Sequence, residues 1–130
     1  MSATACRKET CIIKFNSQKK YDTSLMIYKK GLSYIPKLIS FDPKKKTITI
    51  EKRGISISKS FKSNKEKNEY IPKIKELGSK FKKTFGIFHN DLTYGNVLIT
   101  PSGKLSLIDF EYASPKKRKF KNELRKKMNN

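Results

Sequence analysis

Asp91, Asn96 and Asp109 are the residues of this chain whose types and spacing best suit chemistry. Asp91 and Asn96 stand five positions apart and Asp109 follows thirteen later, with two short apolar stretches between them, Val97 to Thr100 and Leu105 to Ile108. The four residues Pro101-Ser102-Gly103-Lys104 join the stretches. Such a pattern predicts a hairpin that returns Asp109 to the level of Asn96, so that both face one site. An amide oxygen and a carboxylate are hard donors of the kind that hold Mg2+ between phosphates. A second carboxylate beside them can orient an acceptor hydroxyl and take its proton. Phosphoryl transfer needs groups of these types. Taken singly, each could be a turn residue, since Asx side chains favour turns; their joint spacing is what points to a site.

The elements that must position these groups are legible around them. Cys11 to Phe15 reads as a short strand carrying Lys14 on one face. From Lys19 to Lys30, Tyr21, Leu25 and Tyr28 recur at helical spacing, and Gly31 supplies a stop. Pro36 opens an extended run, Lys37 to Phe41, which Asp42-Pro43-Lys44-Lys45 turns before Thr47 to Glu51 resumes strand alternation. Arg53-Gly54 ends this hairpin at a natural hinge. Ser63 with Glu66 has the form of a capping box, and Pro72 has the form of a first-turn residue. Either start leads into the stripe Ile71, Ile74, Leu77 and Phe81, which predicts a helix to about Thr84. Between Ser114 and Asn130 the chain is strongly basic, with Phe120, Leu124 and Met128 every fourth residue, the pattern of an amphipathic helix.

A chain of 130 residues has room for one ordinary domain, and 8 Phe and 6 Tyr supply material for its core. The 31 Lys plus Arg against 11 Asp plus Glu give a formal net charge of +20, which calls for an anionic partner. Nucleic acid, ATP, an acidic protein and an anionic membrane surface all have that sign. The excess is nearly all Lys, a solvated point charge without the planar fork of Arg, and a Lys-rich chain is also a plain compositional bias. Cys6 and Cys11 have no further Cys and no nearby His to complete a zinc site, so they read as free thiols in a reducing compartment. Neither a signal-peptide pattern nor a membrane-spanning run is legible, which points to an intracellular, cytoplasmic protein, with a nuclear address open to the basic tail.

Over Cys11 to Ala113 the chain resembles the protein-kinase-like superfamily. His89-Asn90-Asp91-Leu92 and Ile108-Asp109-Phe110-Glu111-Tyr112 are similar to choline and ethanolamine kinases. Thr93 is similar to the kinase subunit of the tRNA threonylcarbamoylation complex. The resemblance implies an α+β, truncated two-lobe kinase-like fold: a small N-lobe sheet plus helix over 1–54, a reduced C-lobe over 55–113 and a basic tail over 114–130. It implies ATP and Mg2+ as cofactors, Asp91 as the catalytic group, Asn96 and Asp109 as metal ligands, Lys14 on the α- and β-phosphates, and a hinge at Glu51 to Gly54 whose backbone meets adenine. It gives His89 a bracing role. Register places Thr23 or Ser24 where the family carries the helix Glu that pairs with the lysine, and no glycine precedes Gly31 to form a Gly-rich loop. Glu111, where protein kinases carry Gly, implies a fixed segment in place of a mobile activation loop.

These readings lead to an ATP- and Mg2+-dependent phosphotransferase, expected to act on a Ser/Thr hydroxyl of a protein. Two alternatives rest on the same residues: an inactive kinase-like binding module, and a nucleic-acid-associated protein that meets RNA or another polyanion through its basic surface. A second copy or a partner is expected to supply the buttress that so short a chain lacks.

Overall fold

The computed structural model describes residues 2–129. Their architecture is α+β, with two antiparallel sheets. Strands β1 (Ala3–Cys6), β2 (Thr10–Lys14), β3 (Leu38–Asp42) and β4 (Thr47–Glu51) form the first, in the order β1-β2-β4-β3. Alternation in β4 buries Ile48 and Ile50 and leaves the residues between them part-exposed, the pattern of a strand with one face on a core. Helix α1 (Gln18–Lys29) runs between β2 and β3. Ser17 caps it by accepting the Lys20 amide at 3.2 Å, and the chain leaves it through Gly31 in the left-handed region, φ 72°. Its buried face carries Tyr21, Ser24, Ile27 and Tyr28.

The second sheet has the order β5-β6-β7, from β5 (Ile55–Ser56), β6 (Val97–Ile99) and β7 (Leu105–Leu107). The β6–β7 hairpin expected from the sequence forms with Val97 opposite Leu107 and Ile99 opposite Leu105. After α2 (Ile57–Ser60), both candidate helix starts are used, each for its own helix. Ser63 caps α3 (Asn64–Asn68): its hydroxyl accepts the Glu66 amide at 3.2 Å and donates to the Glu66 carboxylate at 2.9 Å. Pro72 sits in the first turn of α4 (Ile71–Phe85), which stops at left-handed Gly86 and buries Ile74 and Phe81. Phe81 stacks on Phe110 with centroids 5.6 Å apart, and Tyr28 of α1 meets the same Phe110 ring edge-on at 5.2 Å. One aromatic cluster thus joins α1, α4 and the turn that carries Asp109.

Two expectations need correction. Cys6 and Cys11 are not free thiols but a disulfide, because they face each other directly in the β1–β2 pair with Cα atoms 4.0 Å apart. Their sequence spacing alone says nothing of this; the strand pairing does. The reducing compartment read from free thiols therefore loses that support. Nor is the basic segment detached from the fold. Helix α5 (Glu123–Asn129) packs on α4 and buries Met128. The Asn129 side chain accepts the Leu92 amide at 2.8 Å and donates to the Leu92 carbonyl at 3.0 Å. Of the expected stripe, Leu124 stays exposed, and Phe120 lies before the helix, against Arg118 and Arg125. Among the described residues no helix is long and apolar enough to cross a membrane.

Candidate active site

His89 to Asn96 forms an irregular loop between α4 and β6, held at its start by paired Phe88 and Ser114 backbones at 2.8 and 3.0 Å. Two non-glycine residues here, Asn90 (φ 69°) and Asp109 (φ 64°), adopt the left-handed region. That conformation costs about 1 kcal/mol or more and persists only where surroundings hold it, as functional turns do. The Asn90 holdfast is its amide, which donates to the Tyr112 and Lys116 carbonyls and accepts the Arg118 amide. His89 is buried; its Nδ1 lies 3.1 Å from the Asp91 amide and its Nε2 3.0 Å from the Ile108 carbonyl. Since Nδ1 accepts, Nε2 carries the proton and donates, and the ring is neutral. Burial pushes the imidazole down to about 4. A single neutral ring thereby ties the Asp91 backbone to the residue before Asp109, and the Ile108 amide donates back to the Asn96 carbonyl at 3.1 Å.

The side chains of the three candidate residues are ordered by one amide. Asn96 Nδ2 donates to the Asp91 carbonyl at 2.8 Å and to Asp91 Oδ2 at 3.0 Å. Both partners are acceptors, so the nitrogen end is fixed there and Asn96 Oδ1 is left for a cation. Asp109 lines a cavity of about 520 Å³ together with Asn96, and Ser24 and Tyr28 of α1 also line it. The hydroxyls of Ser24 and Tyr28 are buried without a partner. Burial, with Glu111 and Asp91 adding, pushes the Asp109 carboxyl up to about 6, and the Glu111 backbone amide and then Lys20 oppose the shift. The Lys20 ammonium is 4.0 Å from Glu111, whose carboxylate also accepts the Ser2 amide at 3.0 Å. Burial likewise raises the Asp91 carboxyl, against Arg125 and Arg118, which lie 3.6 and 3.8 Å from Oδ1.

An under-compensated carboxylate beside a free amide oxygen, opening on a cavity, fits Mg2+, which takes few protein ligands and completes its shell with phosphate and water. No cluster of three or more His, Cys, Asp or Glu that could hold a metal exists among the described residues, so a cation here needs those phosphates.

Asp91, Asn96 and Asp109 are thus brought together; Lys14 is not. Cys11, Ile13 and Phe15 of the β2 run line the cavity, and strand alternation turns Ile12 and exposed Lys14 to the opposite face. The cation near Asp109 is instead Lys20, one Lys among many and so without any sequence signal of its own. Glu51 lines the cavity, but its carboxylate accepts the Lys37 amide and the Arg53 guanidinium, and its amide donates to the Lys37 carbonyl. Those bonds tie it into the fold. The adjoining Arg53 and Gly54 line the cavity beside it. Of Thr23 and Ser24, Ser24 is the one that is buried and lines the cavity. Arg118 and Arg125 went unmarked in the sequence, although Arg is scarce: only Arg7, Arg53, Arg118 and Arg125 occur among 31 basic residues.

Asp91, Asn96 five residues on and Asp109 across a hairpin, braced by the buried His89, lie in a chain of the protein-kinase-like superfamily. The chain belongs to the choline/ethanolamine kinase family, whose model matches residues 7–121. No curated protein matches it. The match lends no support to the protein Ser/Thr acceptor expected from the sequence.

Proposed function

We propose that this protein transfers the γ-phosphoryl group of ATP to the hydroxyl of a small alcohol. The observation that carries the reading is the double donation from Asn96 Nδ2 to Asp91, which aims one carboxylate at an acceptor and leaves an amide oxygen beside Asp109. The two sheets are read as a reduced N-lobe and C-lobe, with ATP in the cavity between α1 and the Asp109 turn. Asn96 and Asp109 would hold Mg2+, which when bound supplies charge neutralisation across the phosphates. Lys20, paired with Glu111, offsets charge near Asp109. Asp91 accepts the hydrogen bond of the acceptor hydroxyl, fixes its oxygen in line with the phosphoryl group and takes its proton; its raised carboxyl pKa makes it a better base than an exposed Asp. Ser24 and Tyr28 offer hydroxyl donors to phosphate oxygens where the family's helix carries a Glu.

The test separates binding from turnover. Asp109→Asn should abolish Mg-ATP binding measured by calorimetry. Asp91→Asn should leave that binding in place and lower turnover by about 10²-fold or more. Phosphotransfer that survives both substitutions would refute the proposal.

A further inference from the structure

The surroundings of Asp91 on the side away from Asp109 are cationic. Arg118 and Arg125 point their guanidinium groups at Asp91 Oδ1 from 3.8 and 3.6 Å. Those are ion-pair distances beyond hydrogen-bond length, so the planar forks are not consumed by the carboxylate. Each is held by an aromatic face: Arg118 lies 4.5 Å from the Tyr112 ring and 5.3 Å from Phe120, and Arg125 lies 6.0 Å from Phe120. Both side chains remain about 40% exposed, at 39% and 42%. A groove of about 500 Å³ on the Arg118 side is lined by Asn90, Tyr112, Lys116, Lys117, Arg118 and Lys119, with Ser114 at its side. Of the nearby acids, Glu111 holds Ser2 and Lys20, Asp109 lines the other cavity, and Glu123 pairs with Lys126 at 3.4 Å. Arg118 with Lys116, Lys117 and Lys119 makes this groove positive, and Arg125 adds a second guanidinium group at Asp91, whose carboxylate also feels Glu111 and Asp109 on its other side. In a chain with four Arg, the convergence of two on one carboxylate is the placement that needs a fork, since Lys is abundant and would supply charge alone.

The geometry points to an acceptor alcohol that itself bears an oxyanion, a phosphate or a carboxylate, bound bidentately by Arg118 and Arg125 with its hydroxyl on Asp91. This rests on the phosphotransferase reading above and departs from the cationic amino alcohols in the family's name, which two guanidinium groups would repel. In the step itself, the acceptor oxygen forms a bond to Pγ while the bond from Pγ to its bridging oxygen breaks. ADP leaves with that electron pair, and the acceptor proton passes to the Asp91 carboxylate.

The experiment reads binding first. With only four Arg, the side-chain Nε–H signals of Arg118 and Arg125 can be followed by NMR in the full chain. Glycerol 3-phosphate, glycerate, glycerol and choline are titrated in turn. Saturable shifts with glycerol 3-phosphate or glycerate, and none with glycerol or choline, are expected; the first two arms distinguish phosphate from carboxylate. The pair R118Q/R125Q should weaken that binding at least about tenfold, the loss of charge-assisted hydrogen bonds, and R118K/R125K should restore part of it. The unshifted His89 signal reports that each variant is folded. Preferential binding of choline, or glycerol 3-phosphate binding indifferent to both Arg pairs, would overturn the proposal. So would binding of a homopolymeric RNA with none of glycerol 3-phosphate, which would make the patch a nucleic-acid surface. Saturable oxyanion binding without transfer from ATP to any of the four alcohols would support the site and overturn the phosphotransferase reading alone.

Discussion

His89 shows how much of a site can rest on one uncharged residue. Its two ring nitrogens are divided between the Asp91 amide and the Ile108 carbonyl; protonation of Nδ1 would remove the acceptor of the Asp91 amide and leave the Nε2 donation to Ile108 in place. Burial lowers its pKa to about 4, whereas the unfolded chain takes the proton near pH 6.5. Between those values the unfolded state binds more protons than the folded one, so stability falls as pH drops from about 6.5 to about 4. The loss from this residue is at most about 3 kcal/mol. As the single His of the chain, it gives one imidazole signal by NMR, and that signal should not titrate until pH approaches 4. A midpoint near 6.5 in the folded protein would show that the ring is not buried between these partners. At this scale the sequence was informative where spacing carries geometry, as for Asp91, Asn96 and Asp109. It was silent on Lys20, Arg118 and Arg125, whose approach to the site depends on how a helix and a C-terminal segment fold back.

Elements account for what the local pattern could and could not foresee. Hairpins and helices were legible because apolar period and turn residues agree over Thr47 to Glu51, Val97 to Leu107 and Ile71 to Phe85. The placement of Lys14 turns on parity: a strand assigns alternate residues to opposite faces, and in β2 the set that faces the cavity is Cys11 and Ile13. The Cys6–Cys11 bond was hidden because it rests on the pairing of β1 with β2. Gly54 marks the join between the two sheets. A Cβ there would stand 2.3 Å from the Ile99 carbonyl oxygen, and its φ is 69°. Gly54→Ala should therefore destabilise the fold by at least about 2 kcal/mol in urea denaturation, combining a backbone collision with a left-handed non-glycine residue. Gly103→Ala meets nothing within 4 Å at φ 87° and should cost only about 1 kcal/mol. Equal costs at the two positions would mean that the β4–β5 join tolerates movement.

The whole molecule is governed by its charge. At a formal net charge of +20 on 130 residues, self-repulsion opposes the compact state more than the expanded one. The exposed ion pairs that salt could weaken, such as Lys80 with Glu76 at 3.8 Å and Lys126 with Glu123 at 3.4 Å, are worth little each. Repulsion should dominate, so added NaCl should stabilise: raising ionic strength from about 0.02 to 0.5 M shortens the screening length from about 20 Å to about 4 Å. The thermal midpoint should rise by about 4 °C, as a gain of about 1 kcal/mol implies for a chain of this size. A fall would mean that attractive pairs outweigh the repulsion. Screening depends only on ionic strength, whereas the guanidinium pair at Asp91 should also respond to the identity of the anion. At low millimolar concentration and matched ionic strength, sulfate should raise the midpoint more than chloride, and R118Q/R125Q should remove the difference while the general rise with NaCl remains. Persistence of the sulfate excess in that variant would assign it to the lysine surface at large, leaving Arg118 and Arg125 as partners of Asp91 alone.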